Sequence, residues 1–273
     1  MARRSPRRAF ALLSALALAV TTAGCAEQVN TGGDSEAGGE IALIKEGALT
    51  TCTHLPYPPF QFSKDGETVG FDVDLVDLVA EDLGVEQQIE DTSFEGIESG
   101  QSFETGQCDL AAAAITITDV RDKVMDFSDG YFDANQVLLV KKDSGIAGMD
   151  DLKGKTLGVQ LGTTGEKYGE ENKEKFGYTT RQFEDLALLQ TAVKTGQVQG
   201  GINDNFVMYE FAKDNPDTEV AEEFETGEQY GIAVRSGNGA LVAKINEVLA
   251  KAKSDGTYDQ IYEKWFGTKP ESK

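Results

Sequence analysis

Short apolar stretches typical of strands alternate with amphipathic helical stretches along most of the chain. The stretch LTTCT (49–53) predicts a strand. The stretch FDVDLVDLVAEDLG (71–84) predicts a helix, because its apolar residues share one face and Gly84 closes it. Alternation of this kind is typical of an α/β fold, in which helices connect strands that run in parallel. We therefore predict an α/β fold with largely parallel sheets.

The same pattern continues towards the C-terminus. It predicts strands at 108–115, 136–142, 156–162, 198–204 and 230–235, a helix from Thr164, another at 186–196, and two terminal helices. Several strands end in polar residues, namely Thr53 and His54, Thr116, Gly162 to Thr164, and Asn203 and Asp204. Ligands of open α/β sheets bind beyond the carboxyl ends of the strands, where loops and helix N-termini offer donors. The polar strand ends therefore predict a ligand site.

The N-terminus has the layout of a bacterial export signal. Residues 1–25 contain four arginines, then an apolar run of about 12 residues, which is too short for the roughly 20 that span a bilayer. Ala23-Gly24-Cys25 resembles a lipobox, although Thr22 stands where Leu is usual, so Cys25 is expected to carry a lipid anchor. The Gly-rich, acidic stretch 26–46 is expected to be a flexible tether.

The charge of the chain argues against nucleic acid as a partner. The sequence has 25 basic and 47 acidic side chains, a formal charge of −22, and removal of the four signal arginines makes it −26. A surface of this sign repels phosphate. About 225 residues follow the tether, enough for one large domain or two lobes.

The three cysteines leave two arrangements open. If Cys25 is acylated, Cys52 and Cys108 remain as an even pair in an exported chain. Such a pair forms either a disulfide or two separate buried thiols.

Two groups of polar residues together suit an α-amino acid. Arg121 offers a planar fork of donors to a carboxylate, Thr116 adds a hydroxyl, and the turn 162–164 offers backbone N–H groups. Asp204 offers an acceptor to an ammonium group. Each residue also has a purely structural alternative. Arg121 could pair with a neighbouring aspartate, Asp119 or Asp122, and Asp204 could cap the helix that follows it.

Several long motifs resemble one protein family. They occur in order from about Leu49 to Gly267, and they are PYPPFQF, VGFDVDLVDLVAEDLGV, ITIT up to Arg121, VMDFSDGYF, DLKGKTLGVQLGTT and SDGTYDQIYEKWFG. Together they resemble the amino-acid-binding cluster of extracellular solute-binding proteins that serve ABC importers (family 3). The resemblance implies the type II periplasmic-binding-protein fold, with two α/β lobes that close on the ligand about two crossover strands. The crossovers would be QVLLVKK and YGIAVR, which places 47–139 and 230–268 in lobe 1, 140–229 in lobe 2, and 269–273 in a tail.

The resemblance also implies roles for single residues. Arg121, Thr116 and the turn residues Thr163 and Thr164 match the ligands of the α-carboxylate, and Asp204 and the carbonyl of Ala114 match those of the amino group. Residues matching the side-chain pocket are Tyr57, Phe94, His54, Phe60, Gln160 and Asn203. Core packing is the alternative for the aromatic residues, above all for Phe60.

The pocket residues favour a neutral polar ligand such as glutamine. His54 stands where many relatives of the family have Asp, so a carboxylate for a cationic side chain is missing. Because Asp204 and Arg121 are assigned to the α-groups, the sequence shows no spare carboxylate for lysine or arginine. It likewise shows no second arginine for glutamate unless His54 is protonated.

Catalysis is the competing interpretation. The chain has one histidine and neither H-E-x-x-H nor G-x-S-x-G, so the usual parts of a hydrolase or metal site are missing. We expect no enzyme activity, no cofactor and no metal ion. The expected partners are a free L-amino acid and the permease subunits of an ABC transporter. The protein itself is expected to be a monomer, anchored by its lipid to the outer face of the cytoplasmic membrane. The alternatives are dehydratase-like chemistry on a small carboxylic acid and ligand delivery to a separate receptor.

Overall fold

A computed structural model describes residues 41–270. The predicted signal, Cys25 and most of the predicted tether lie outside the described residues. Within 41–270, no helix combines the length and the apolar character that a bilayer crossing requires.

Strands and helices alternate as the sequence predicts. The strands are β1 (Ala48–Thr53), β2 (Phe62–Lys64), β3 (Glu67–Val69), β4 (Glu86–Asp91), β5 (Leu110–Ala111), β6 (Met125–Phe127), β7 (Phe132–Lys141), β8 (Thr156–Gln160), β9 (Thr179–Phe183), β10 (Gly200–Asp204), β11 (Thr218–Tyr230) and β12 (Ala233–Arg235). The helices are α1 (Phe71–Leu83), α2 (Phe94–Glu98), α3 (Gln101–Glu104), α4 (Thr164–Phe176), α5 (Leu186–Lys194), α6 (Asn205–Asp214), α7 (Gly239–Asp255) and α8 (Thr257–Phe266). Single 3₁₀ turns occur at Arg121–Lys123 and Met149–Leu152.

Ten of the strands form two five-stranded sheets, one for each lobe, and β2 and β3 form a separate two-stranded antiparallel sheet. The first sheet has the order β4-β1-β5-β12-β6, and the second has the order β11-β7-β10-β8-β9. In the first sheet β1 runs parallel to β4 and β5, whereas β12 runs antiparallel to β5 and β6. In the second sheet β8 runs parallel to β9 and β10, whereas β7 runs antiparallel to β10 and β11.

The prediction of largely parallel sheets is therefore wrong, because both sheets are mixed. Parallel pairing occurs where a helix carries the chain back to the start of the sheet, as from β8 through α4 to β9. Strands β7 and β12 enter their sheets directly from the chain passages between the lobes, without such a helix, and both pair antiparallel with their neighbours. Strand β11 follows α6 and pairs antiparallel with β7.

Two chain passages join the lobes, at 128–131 and 231–232, and they lie side by side. The N–H of Tyr131 donates to the carbonyl of Tyr230 at 2.9 Å, and the N–H of Ser128 donates to the carbonyl of Ile232 at 2.9 Å. The stretch predicted as the first crossover pairs with β10 from Gln136 to Val140, so it belongs to the second sheet. The lobe boundaries after residues 139 and 229 remain predictions.

Helix α1 follows the sequence prediction closely. Its apolar face buries Phe71, Leu75, Val76 and Val79, and Gly84 ends it in the left-handed conformation with φ of 69°. The predicted strand at 108–115 differs, because only Leu110–Ala111 pairs as a strand. The residues that follow are buried but irregular, since Ala114 adopts φ of 51°, which an extended ladder does not accept.

The structure joins Cys52 of β1 to Cys108, just before β5, in a disulfide with a Cα–Cα distance of 5.6 Å. Of the two arrangements that the sequence leaves open, the structure has the bridge. The disulfide lies in an apolar cluster with Phe94, Ile97 and Phe103, directly beneath the loops that follow β1 and β5.

Candidate ligand-binding site

A cavity lies between the lobes, beyond the carboxyl ends of β1, β5, β8 and β10. The space in it that the centre of a water molecule can occupy is about 10 Å³. Its lining consists of His54, Tyr57, Gln61, Phe94, Ala113, Ala114, Thr116, Arg121, Gln160, Thr163, Thr164 and Asp204. All of the residues predicted to bind ligand line it except Phe60 and Asn203. The polar strand ends of the two lobes therefore meet at one place.

Arg121 reaches across the cavity from one lobe to the other. Its Nη1 donates to the carbonyl of Thr116 at 2.8 Å, and its Nη2 donates to the carbonyl of Gly162 at 2.9 Å. Gly162 has φ of 77°, the left-handed conformation that favours glycine. The side chain is 4% exposed, and its carbon Cζ lies 5.3 Å from the centroid of the Phe94 ring. Arg121 therefore does not take the surface pairing with a neighbouring aspartate.

The guanidinium of Arg121 is a buried cation that faces the cavity. Burial lowers the pKa of Arg121, while the carboxylates of Glu98, Asp204 and Glu228 act in the opposite direction. Arginine nevertheless keeps its charge in proteins. Within residues 41–270 its nitrogens form no ion pair with a carboxylate. A buried charge without a counterion is unfavourable, so this position is suited to an anionic ligand group.

Asp204 occupies the N-cap position of α6, but its side chain does not cap the helix. Its carboxylate accepts hydrogen bonds from Tyr57 Oη at 2.8 Å, from Tyr230 Oη at 2.5 Å and from Gln136 Nε2 at 2.5 Å. Burial, followed by the nearby carboxylate of Glu228, raises the pKa of Asp204 to about 6. The side chain of Asp204 therefore does not serve as the helix cap, and its role towards a ligand stays a prediction.

Glu228, which the sequence analysis misses, lies between the two predicted clamp hydroxyls. Its Oε2 accepts from Thr116 Oγ1 at 3.0 Å and from Thr164 Oγ1 at 2.7 Å, and its Oε1 accepts from Gln136 Nε2 at 3.2 Å. A hydroxyl has one proton, so Thr116 and Thr164 donate either to Glu228 or to a ligand carboxylate, and not to both. Glu228 thus competes with a ligand carboxylate for the hydroxyl protons of Thr116 and Thr164.

No local signal marks Glu228 in the sequence. It belongs to TEVAEEFETGEQY, a strand in which acidic residues are frequent and side chains alternate between exposed and half-buried. The one available hint is its spacing, because Glu228 and the buried Tyr230 are two residues apart and so share a face of the strand.

His54, Gln61 and Phe94 also line the cavity. His54 Nδ1 lies 2.8 Å from the carbonyl oxygen of Thr92, and Gln61 Nε2 donates to the carbonyl of His54 at 3.4 Å. Gln61 is 1% exposed. The sequence analysis misses this residue too, although it lies within the motif PYPPFQF.

Three of the residues predicted to bind ligand do not offer a free polar side-chain group to the cavity. Phe60 is fully buried among aromatic rings, with its centroid 4.9 Å from that of Phe132, so its assignment to the pocket is wrong and the core alternative holds. Asn203 lies one layer behind the cavity, where its Oδ1 accepts from Tyr57 Oη at 2.6 Å. The hydroxyl of Thr163 caps α4 by accepting from the N–H of Glu166 at 3.1 Å.

The left-handed conformation of Ala114 is supported from beneath by a buried carboxylate. Asp72, in the first turn of α1, accepts from the N–H of Ala114 at 2.7 Å and from Tyr131 Oη at 2.7 Å. Burial raises the pKa of Asp72 to about 7. Because its N–H is taken by Asp72, Ala114 has only its carbonyl to offer to a ligand.

Comparison with known proteins gives a consistent family. Residues 49–268 match the bacterial extracellular solute-binding proteins, family 3. The ABC transporter glutamine-binding protein GlnH of Bacillus subtilis is 39% identical over 208 residues, which is 75% of this chain and 75% of that protein. The arginine-binding extracellular protein ArtP of the same species is 31% identical over 236 residues, which is 86% of this chain and 91% of that protein.

Solved structures agree in fold. An ancestral arginine-binding protein bound to arginine is 42% identical and superposes with a TM-score of 0.76, covering 81% of this chain and 99% of that one. An ancestral arginine-binding protein bound to glutamine is 41% identical with a TM-score of 0.76, covering 82% of this chain and 99% of that one.

Proposed function

Because the chain belongs to the family 3 bacterial extracellular solute-binding proteins, we propose that it captures a free L-amino acid, favouring glutamine, and delivers it to the permease of an ABC transporter. The observation that carries this proposal is Arg121, a buried guanidinium that faces the cavity without a carboxylate partner among residues 41–270. An α-carboxylate would supply the missing charge with two parallel hydrogen bonds.

The other α-group has its counterpart on the opposite side of the cavity. Asp204 would accept hydrogen bonds from the ligand ammonium, together with the carbonyl of Ala114. Burial and the neighbouring Glu228 raise the pKa of Asp204 to about 6, so it is mostly ionised at neutral pH but at a free-energy cost. A bound ammonium offsets that cost. On the carboxylate side, Thr116 and the N-terminus of α4 at Thr163 and Thr164 would support Arg121.

Closure of the lobes would follow from the placement of these groups. Arg121 and Thr116 belong to the lobe of the first sheet, whereas Thr164 and Asp204 belong to the lobe of the second. A ligand that contacts both sets binds the closed form better than the open form, and it therefore shifts the population towards closure. The permease would recognise the closed form. The two moving lobes would be those of the first and the second sheet, with the chain passing between them at 128–131 and 231–232.

Two features support glutamine over a charged ligand. Among the described residues that line the cavity, Asp204 has the one carboxyl group and Arg121 the one guanidinium, no lysine is present, and both charged groups are assigned to the α-groups. The related GlnH of Bacillus subtilis is a glutamine-binding protein, and one of the related ancestral proteins has a structure with glutamine bound.

We further propose that residues 1–25 direct export and that Cys25 carries a lipid, so that a monomer stays at the outer face of the membrane on the tether 26–46. Fractionation of cells tests this part. Cys25→Ser should release the protein from the membrane, and a soluble wild-type protein would contradict the anchor.

A ligand screen tests the main proposal. A lipid-free form of the protein, residues 26–273, is stripped of ligand by unfolding and refolding, and its thermal stability is measured with each of the twenty amino acids. A ligand at a hundred times its dissociation constant adds about 2.7 kcal/mol to the free energy of unfolding. The shift should disappear in Arg121→Ala and persist in Arg235→Ala, an exposed arginine that serves as the matched control. No shift with any amino acid would contradict the proposal and favour catalysis on another carboxylic acid.

A further inference from the structure

Two residues that line the cavity each have a buried acceptor atom without a hydrogen-bond partner within residues 41–270. The atoms are Nε2 of His54 and Oε1 of Gln61. We propose that His54 and Gln61 form the side-chain end of the cavity and together select a ligand side chain that ends in a neutral N–H donor, a primary amide. This inference rests on the proposed function, and it makes Gln61 a specificity-determining residue.

The hydrogen bond of His54 Nδ1 determines whether His54 Nε2 is a donor or an acceptor. His54 Nδ1 lies 2.8 Å from the carbonyl oxygen of Thr92, and a carbonyl oxygen only accepts. Nδ1 therefore carries the proton, and in the neutral ring Nε2 is left with a lone pair. His54 lines the cavity, so it presents an acceptor there.

The orientation of Gln61 follows from the same neighbour. Its Nε2 donates to the main-chain carbonyl of His54 at 3.4 Å, which is a long hydrogen bond. If the side-chain amide were turned around, its oxygen would face the carbonyl oxygen of His54, which is unfavourable. Oε1 is therefore the atom that remains for the cavity. Because Gln61 is 1% exposed, solvent does not satisfy this oxygen from outside.

Charge then decides among the side chains that carry donors. Among the described residues that line the cavity, the one carboxylate is that of Asp204, which already accepts from Tyr57, Tyr230 and Gln136. A guanidinium or ammonium group at the side-chain end would lose its hydration without gaining a counterion. A ligand carboxylate would face two acceptors, and an apolar side chain would leave both acceptors unpaired.

A primary amide meets both requirements. Its NH₂ group is uncharged and has two protons, one for His54 Nε2 and one for Gln61 Oε1. The rings of Tyr57 and Phe94 line the same cavity and supply apolar contact to the methylene groups.

Calorimetry with five ligands tests this inference on the lipid-free form of the protein, residues 26–273. The ligands are L-glutamine, L-glutamate, L-arginine, L-methionine and γ-N,N-dimethyl-L-glutamine, an amide without N–H. L-glutamine should bind at least about tenfold more tightly than each of the others, because each of them leaves buried polar groups unpaired or adds a buried charge.

Two variants of Gln61 locate the effect. Gln61→Met keeps the size and removes the acceptor, so the preference for glutamine over methionine should fall about tenfold. Gln61→Glu adds a carboxylate and should shift the preference from glutamine towards arginine. This second variant keeps the test decisive if Gln61→Met folds poorly. Gln107→Met, at an exposed position, is the matched control and should leave every affinity unchanged.

The outcomes separate the two proposals. If L-glutamate, L-arginine or L-methionine binds as tightly as L-glutamine, or if Gln61→Met leaves the preference unchanged, this inference is overturned while amino-acid capture stands. If no α-amino acid binds, both are overturned.

Discussion

The two ends of the cavity are built differently. At the α-group end, charged residues of both lobes are held by several hydrogen bonds each, as Asp204 is by two tyrosines and a glutamine. At the side-chain end, His54 and Gln61 both come from the lobe of the first sheet, and each has an acceptor without a partner among residues 41–270. One end is strongly constrained, and the other has few contacts.

This difference matches what each end would have to recognise. Every amino acid has the same α-groups, and hydrogen bonds to charged groups contribute about 1.5–3 kcal/mol each, so this end would supply most of the affinity. Hydrogen bonds between neutral groups contribute about 0.5–1.5 kcal/mol, so the other end would supply discrimination. A specificity change at the side-chain end would therefore leave the closing machinery intact. The predictions below test this contrast at the α-group end.

The largest effect is expected for Arg121→Ala. Loss of one partner of a buried ion pair costs about 3–5 kcal/mol, so the affinity for the amino acid should fall by at least about a hundredfold. Calorimetry measures the affinity, and far-UV circular dichroism checks the fold. Arg235→Ala should bind as the wild type does. If Arg121→Ala binds within about threefold of the wild-type affinity, the α-group end does not supply most of the affinity.

A smaller loss is expected for Asp204→Asn. The substitution keeps the shape but replaces a charged acceptor of the ligand ammonium with a neutral one, so about 2 kcal/mol, or roughly thirtyfold in affinity, should be lost. Asp150→Asn, at an exposed position, is the control for the change of charge. Unchanged affinity in Asp204→Asn would return Asp204 to a purely structural role.

The affinity should also depend on pH through Asp204. Its pKa in the ligand-free protein is about 6, and a bound ammonium stabilises the ionised form. Binding is therefore strongest above pH 6 and weakens as the pH falls through 6, by about tenfold for each unit below it. Calorimetry at pH 7.5, 6 and 5 measures this decline. The decline should be absent in Asp204→Asn. If the affinity of that variant still declines with falling pH, a group other than Asp204 is responsible.

The smallest effect is expected for Glu228→Gln. The glutamine still accepts from the hydroxyls of Thr116 and Thr164, so the affinity at pH 7.5 should change by less than about threefold. Glu228 raises the pKa of Asp204, so its removal should move the decline in affinity to a pH below 6. Glu225→Gln, at an exposed position of the same strand, should leave the decline in place. If the affinity of Glu228→Gln declines at the same pH as that of the wild type, Glu228 does not raise the pKa of Asp204.

The sequence alone predicts most of the residues that line the cavity, and their roles towards a ligand stay predictions. Arg121 and Asp204 were predicted because they follow strands, and strand ends are visible where an apolar run meets polar residues. Phe60 was assigned to the pocket wrongly, since an aromatic residue in a motif next to the cavity has the same local pattern whether it faces the ligand or the core. Gln61 was missed because adjacent side chains of an irregular loop have no periodicity that orients them.

The sequence by itself determined the α/β alternation, the helix ends and the presence of a ligand site, because periodicity and capping are local properties. Only the tertiary structure decided the mixed order of the sheets and the partners of the clamp. Thr116 and Thr164 donate to Glu228, which is 112 and 64 residues away in the chain, and Tyr57 donates to Asp204 across 147 residues. Contacts over such separations depend on how the two lobes pack against each other, and no local pattern in the sequence records that packing.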